Sequence, residues 1–99
     1  MTKKIHIIGS GISSLSAASH LAKAGHQVTI FEKNSSIGGR ARQFEVDGFV
    51  FDMGPSWYWM PDVFEKFYQY FGYTSSDFYE LKRLDPSYRV YWPDHSYTN

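Results

Sequence analysis

Two glycine clusters on either side of a single strand-like run constrain this chain more than any other feature. Residues 7–41 read IIGSGISSLSAASHLAKAGHQVTIFEKNSSIGGRA. Lys3 to Ile8 is a β-branched run that stops at Gly9, as a buried parallel strand does. From Ile12 to Ala24 the pattern is helical, with Ile12, Leu15, Ala18, Leu21 and Ala22 near one face, and Gly25 is placed to end it. His26 to Phe31 reads as a second strand, followed directly by Glu32. Strand, tight turn, helix and strand make a βαβ unit, whose two strands lie parallel. The first expectation is therefore an α/β fold.

Gly9-Ser10-Gly11-Ile12-Ser13-Ser14 is a G-x-G-x-x-G pattern with serine at the third glycine position. Gly9 makes the tight turn, Gly11 lets a diphosphate approach the backbone, and Ser14 stands where helix and strand nearly touch. The N–H groups opening the helix offer a site for anionic phosphate. Taken alone, the glycines are equally a plain turn. Glu32 alone reads first as a solvated charge at a strand end. Together they are in register, because a carboxylate roughly 20 residues beyond the glycines can accept hydrogen bonds from both hydroxyls of an adenosine ribose. It would repel a 2′-phosphate, which disfavours NADP.

Beyond Arg40 the sequence changes character. Asp47-Gly48, between alternating runs 41–46 and 49–52, predicts a hairpin with a type I′ turn. Pro61 predicts the start of a helix with Val63, Phe64, Phe67, Tyr70 and Phe71 on one side and Gly72 at its end. Residues 78–84 and 88–92, around Asp85-Pro86-Ser87, suggest a further strand pair. Aromatic residues make up 19% of the chain, and before Phe44 the only one other than histidine is Phe31. The Trp57-Tyr58-Trp59 cluster reads first as core packing. The alternative is a membrane interface or a lining for substrate access, where amphipathic aromatics are favoured.

Charge and cysteine content exclude several classes. Ten basic and ten acidic side chains cancel, so no footprint for nucleic acid is expected. With no cysteine there is neither disulfide nor thiolate chemistry. His6, His20, His26 and His95 form no pair at metal-ligand spacing, and no metal is expected. No run approaches a signal peptide core or a membrane span, which makes a cytoplasmic location the expectation. Asp52 and the histidines have no partner constellation, so no catalytic side chain is named. With only two parallel strands in its first sheet, the chain reads as part of something larger.

The second cluster, Gly38-Gly39-Arg40, distinguishes among dinucleotides. A nicotinamide Rossmann unit does not require another glycine pair after its acidic residue. The arrangement resembles the N-terminal part of the FAD-dependent amine oxidase and carotenoid desaturase superfamily. Residues 38–61, GGRARQFEVDGFVFDMGPSWYWMP, are similar to the bacterial-type phytoene desaturases through GGR, Gly48, Phe49, Phe51, Asp52, Gly54, Pro55, Ser56 and Pro61. The likeness covers nearly the whole chain and departs at Ser14. It implies a Rossmann-like FAD-binding βαβ unit followed by a hairpin, an amphipathic helix and a strand pair, in a larger two-domain flavoprotein. Residues 1–41 would hold the dinucleotide-binding unit and GGR loop, and residues 42–99 the region leading to a substrate domain. The cofactor implied is FAD. The site residues implied are Gly9, Ser10, Gly11, Ile12, Ser13, Ser14, Glu32, Lys33, Gly38, Gly39, Arg40 and, at the flavin end, Gly54. The activity implied is desaturation of phytoene or a related lipophilic carotenoid, with peripheral membrane contact at the inner face. Another FAD-dependent oxidase or a non-catalytic FAD-binding fragment remains an alternative.

Overall fold

The first strand, β1 (Lys4–Ile8), and the second, β2 (Gln27–Phe31), pair in parallel, with Lys4 opposite Gln27 and Ile8 opposite Phe31. Between them runs α1 (Ile12–Lys23), which opens at Gly11 and passes through Ala24 to Gly25. This is a computed structural model that describes all 99 residues, in two units, Met1–Trp59 and Met60–Asn99.

In the first unit α1 packs on one face of the β1–β2 sheet. Ile5, Ile7, Val28 and Ile30 point towards the helix and are half-buried, while the alternate residues are exposed. The expectation of a buried parallel sheet therefore holds for one face only: Ile8 is 82% exposed and Phe31 49%. The helix covers the expected face except near its two ends. Ser14, Leu15, Ser16, Ala18, Ser19 and Leu21 are covered, whereas Ile12 is 56% exposed and Ala22 is exposed. Ile12 precedes the half-buried Ser19 by seven residues, within about 20° of two full turns at 3.6 residues per turn. It therefore shares the covered face but stands at the first residue of the helix, beside the glycine turn.

The chain then loops to a short 3₁₀ turn at Gly39–Ala41 and enters the hairpin β3 (Arg42–Val46) and β4 (Phe49–Met53). Asp47 and Gly48 both have positive φ, 51° and 81°, as a type I′ turn requires. The register sets Phe44 opposite Phe51, and their rings stack at 5.0 Å. Trp57, Tyr58 and Trp59 are 56%, 39% and 69% exposed. Core packing is thus not their role within this chain.

The second unit is organised by α2 (Pro61–Tyr70), with Pro61 in its first turn and Gly72 beyond its end. Phe64, Phe67, Tyr68 and Phe71 are half-buried, but Val63 and Tyr70, expected on the same side, are exposed. The stripe is turned towards Tyr68 because Phe78 stacks on that ring at 4.9 Å and Tyr79 meets its edge at 6.0 Å. Burial, and then the hydrogen bond with Tyr79, push the Tyr68 phenol above its ordinary pKa.

Recruitment of Phe78 and Tyr79 also explains why residues 78–84 form no strand. A capping box puts Thr74 and Asp77 around a short 3₁₀ turn, with the Thr74 N–H donating to Asp77 Oδ2 at 2.8 Å. Glu65 of α2 accepts from the Ser75 hydroxyl at 2.6 Å. The chain leaves that turn with its aromatics on α2. The strand pair found instead joins β5 (Val90–Tyr91) to β6 (Tyr97–Thr98). The turn between them is fixed by Asp94, whose Oδ1 accepts from the Ser96 N–H and hydroxyl at 2.9 and 2.5 Å. Those two bonds hold the Asp94 carboxyl below its ordinary pKa.

Candidate dinucleotide site

The two glycine clusters meet. The N–H of Gly38 donates to the Ser10 carbonyl at 2.8 Å, and Gly11 and Gly38 form an isolated parallel bridge. A Cβ on Gly39 would come within 3.1 Å of the Gly11 Cα, so the second loop lies against the first, backbone to backbone. On the other side of that loop, a Cβ on Gly54 would collide with the Arg40 backbone carbonyl, and Gly54 has φ +108°. Gly54 thus has a packing role in the chain itself, closing the end of β4 over the 3₁₀ turn.

Gly11 is different. Its backbone angles, φ −70° and ψ 174°, suit any residue, and a Cβ there would meet nothing within 4 Å. Neither conformation nor packing within the chain requires glycine at this position. The helix behind it has no side-chain cap, so the first-turn N–H groups of Ile12, Ser13 and Ser14 have no acceptor from such a cap. A small residue facing open space before an uncapped helix N-terminus fits the close approach of a diphosphate.

Glu32 follows β2 and reaches back to the same turn. Its Oε2 accepts from the Ser10 N–H at 2.8 Å and the Ser10 hydroxyl at 2.5 Å, and its Oε1 accepts from the Asn34 N–H at 3.1 Å. The Ser10 hydroxyl is the largest cause of a lowered pKa. Together with the N–H groups of Asn34, Ser10 and Lys33 it brings the carboxyl from 4.5 to about 2, against a smaller opposing effect of desolvation. Glu32 is anionic throughout the physiological range. Both its oxygens are already engaged by the chain, so a ribose would add to or exchange these bonds.

An open cleft of about 480 Å³ is lined by Asn34, Gly39, Arg40, Arg42, Met53 and Gly54. Of the residues expected at the site, Gly9, Ser10, Gly11, Glu32, Gly38 and Gly39 come together, with Gly9 tied to β2 through the Phe31 carbonyl at 2.7 Å. Ile12, Ser13 and Ser14 form the adjoining helical turn, and Arg40 and Gly54 lie at the cleft. Lys33 is exposed and serves Glu32 through its backbone. Sequence reasoning passed over Asn34, Arg42 and Met53. The spacing of Arg40 and Arg42, two apart where a loop enters a strand, was the available signal for a paired cationic lining.

Parallel βαβ topology, a glycine turn opening a helix and an acidic residue after the second strand define a dinucleotide-binding domain. A family model described as an NAD(P)-binding Rossmann-like domain matches residues 7–74, and the chain belongs to that family. The carotenoid 3,4-desaturase of Haloarcula japonica is 58% identical over 90 residues, covering 91% of this chain and 18% of the relative. The 4,4'-diapophytoene desaturase (4,4'-diaponeurosporene-forming) of Staphylococcus aureus is 48% identical over 92 residues, covering 93% of this chain and 18% of its own. The chain therefore spans under a fifth of the length of these relatives. A crystal structure of an oxidoreductase from Methanosarcina mazei aligns with 57% of this chain and 13% of its own, at 36% identity and a TM-score of 0.48.

Proposed function

We propose that the dinucleotide is FAD and that the chain supplies the FAD-binding N-terminus of an oxidoreductase of carotenoid biosynthesis. The observation that carries the cofactor reading is Gly11, a glycine required by nothing in the chain and open to the space before an uncapped helix. The second glycine loop favours FAD, because it extends the backbone-lined surface from Gly11 to Gly39 and on to the arginines of the cleft. A longer dinucleotide can be followed by such a surface, with Arg40 placed to pair with phosphate. The substrate class rests on the two relatives, each named for desaturation of a carotenoid or diapocarotenoid.

Bound FAD would supply the two-electron acceptor for hydrogen removed from a saturated C–C bond. The residues here bind and orient. Glu32 takes the ribose, the α1 N-terminus and Arg40 take the phosphates, and no side chain of this chain is assigned to proton transfer. The substrate is a phytoene-like polyene of C40 or C30 length, met at the inner face of a membrane in the cytoplasm. Exposed Trp57, Tyr58 and Trp59 are suited to such an interface. No nucleic acid partner is proposed.

A second reading, an FAD-binding module without turnover of its own, is favoured by one observation. The open sheet face at Ile8 and Phe31 and the open cleft enclose no volume for a polyene.

The test is expression in a bacterial host that accumulates phytoene, with extracted pigments followed by absorption. Coloured, more conjugated products together with protein-bound FAD support the desaturase. Bound FAD with unchanged phytoene leaves the binding module, and absence of bound flavin overturns both.

A further inference from the structure

Ser10 is the most buried residue of the chain, 1% exposed, yet it lies in a turn whose neighbours Gly9 and Gly11 carry no side chain. Its backbone N–H would reach Glu32 whatever the residue. The hydroxyl is the added element, and it forms the shortest bond of the site, 2.5 Å to Glu32 Oε2. Hydroxyl-to-carboxylate bonds of this length are charge-assisted and directional.

We propose that Ser10 is a positioning residue of the dinucleotide site, its hydroxyl fixing the Glu32 carboxylate as an oriented anion before the ribose arrives. This rests on the assignment of a dinucleotide to the site. The bond ties the end of β2 to the turn after β1, so one side chain sets both the height of the carboxylate above the sheet and its rotation. The groups meeting the carboxylate are the hydroxyl and N–H of Ser10 and, from its own loop, the N–H groups of Asn34 and Lys33. Lys33 is the charged residue among them and acts through its backbone. Ionisation of Glu32 therefore depends on hydrogen bonds, of which the Ser10 hydroxyl is first. Without that hydroxyl the carboxylate becomes easier to protonate and is oriented only by backbone N–H groups.

The test uses the whole chain labelled with ¹³C, with the Glu32 carboxyl resonance assigned by its loss in Glu32→Gln. In the unaltered protein this carbon should show no protonation shift down to about pH 4, whereas in Ser10→Ala its midpoint should rise towards, and stay below, the ordinary glutamate value of about 4.3, because the backbone N–H bonds remain. Ser10→Cys keeps the size and weakens the donor, so its midpoint should lie close to that of Ser10→Ala. FAD affinity, followed by quenching of flavin fluorescence, should fall by about tenfold at pH 7 in Ser10→Ala, the scale of one hydrogen bond to a charged group, and fall further towards pH 4. A merely structural serine would leave the Glu32 titration in place. An unshifted titration, or equal FAD affinity in all three proteins across that pH range, overturns the proposal. If the unaltered protein binds no FAD, the assignment of the site fails and the proposal falls with it, whatever the titration shows.

Discussion

The two units spend their residues differently. In 1–59 the decisive contacts are between backbones: Gly38 on Ser10, Gly39 against Gly11, Gly54 under Arg40. In 60–99 the decisive contacts are between rings, with Tyr68 meeting Phe78 and Tyr79, and Phe67 meeting Phe71. Backbone-to-backbone contact leaves few alternatives, because a single added carbon collides. Ring packing is more tolerant, and a helix can turn by tens of degrees to suit its partners. The first pattern shapes a surface for a ligand with an extended, charged backbone of its own. The second gathers apolar area without enclosing it.

Substitutions can break that contrast. The largest effect is expected for Gly54→Ala, where the new Cβ collides with a backbone carbonyl at positive φ. A loss of about 3 kcal/mol is the scale of overpacking combined with backbone strain, read as a lower midpoint in urea unfolding. Gly39→Ala should cost about 1–2 kcal/mol, since its φ is +60° and the Gly11 Cα must retreat by a few tenths of an ångström. In the second unit, Ser75→Ala removes the hydroxyl that donates to Glu65 at 2.6 Å. It should cost about 1 kcal/mol, less than either glycine substitution. A ring-unit substitution as damaging as Gly54→Ala would erase the distinction.

The smallest effect expected is on acid stability. Glu32 has its folded pKa lowered to about 2 from 4.5. Its contribution is therefore complete above the unfolded value and is lost as pH falls from 4.5 towards 2. Glu32→Gln should lower stability above about pH 4.5, leave it nearly unchanged towards pH 2, and flatten the profile between. A thermal-unfolding series across the acid range checks it, and an unchanged acid limb would mean that Glu32 is not tied to Ser10.

What the sequence made legible follows the same division. The βαβ unit, the Asp47-Gly48 hairpin and the Pro61 helix start could be read because glycine, proline and strict alternation act locally. The meeting of the glycine clusters could be inferred only as service to a common ligand, and the direct Gly11–Gly38 bridge was not visible. On α1 the expected face is covered and only Ile12 and Ala22, near its ends, are exposed, whereas the face of α2 differs at Val63 and Tyr70 because hydrophobicity marks candidates while the tertiary partner selects among them. The strand pair was placed one segment too early for a related reason. The Thr74–Asp77 turn and the pull of Tyr68 on Phe78 are side-chain effects, whereas Pro93-Asp94 was a turn signal passed over. At the site, Glu32 could be found by spacing, but its bond to the Ser10 hydroxyl required coordinates.

The most direct test of a dinucleotide at the glycine turn is FAD titration of the unaltered protein beside Gly11→Ala, with urea unfolding measured on both. Gly11 has an ordinary backbone conformation and open space before it, so the two proteins should unfold within about 0.5 kcal/mol of each other. FAD affinity should nonetheless fall by at least about tenfold, because the added methyl stands where the diphosphate approaches. Equal affinity in two equally stable proteins would contradict the account and move the ligand elsewhere.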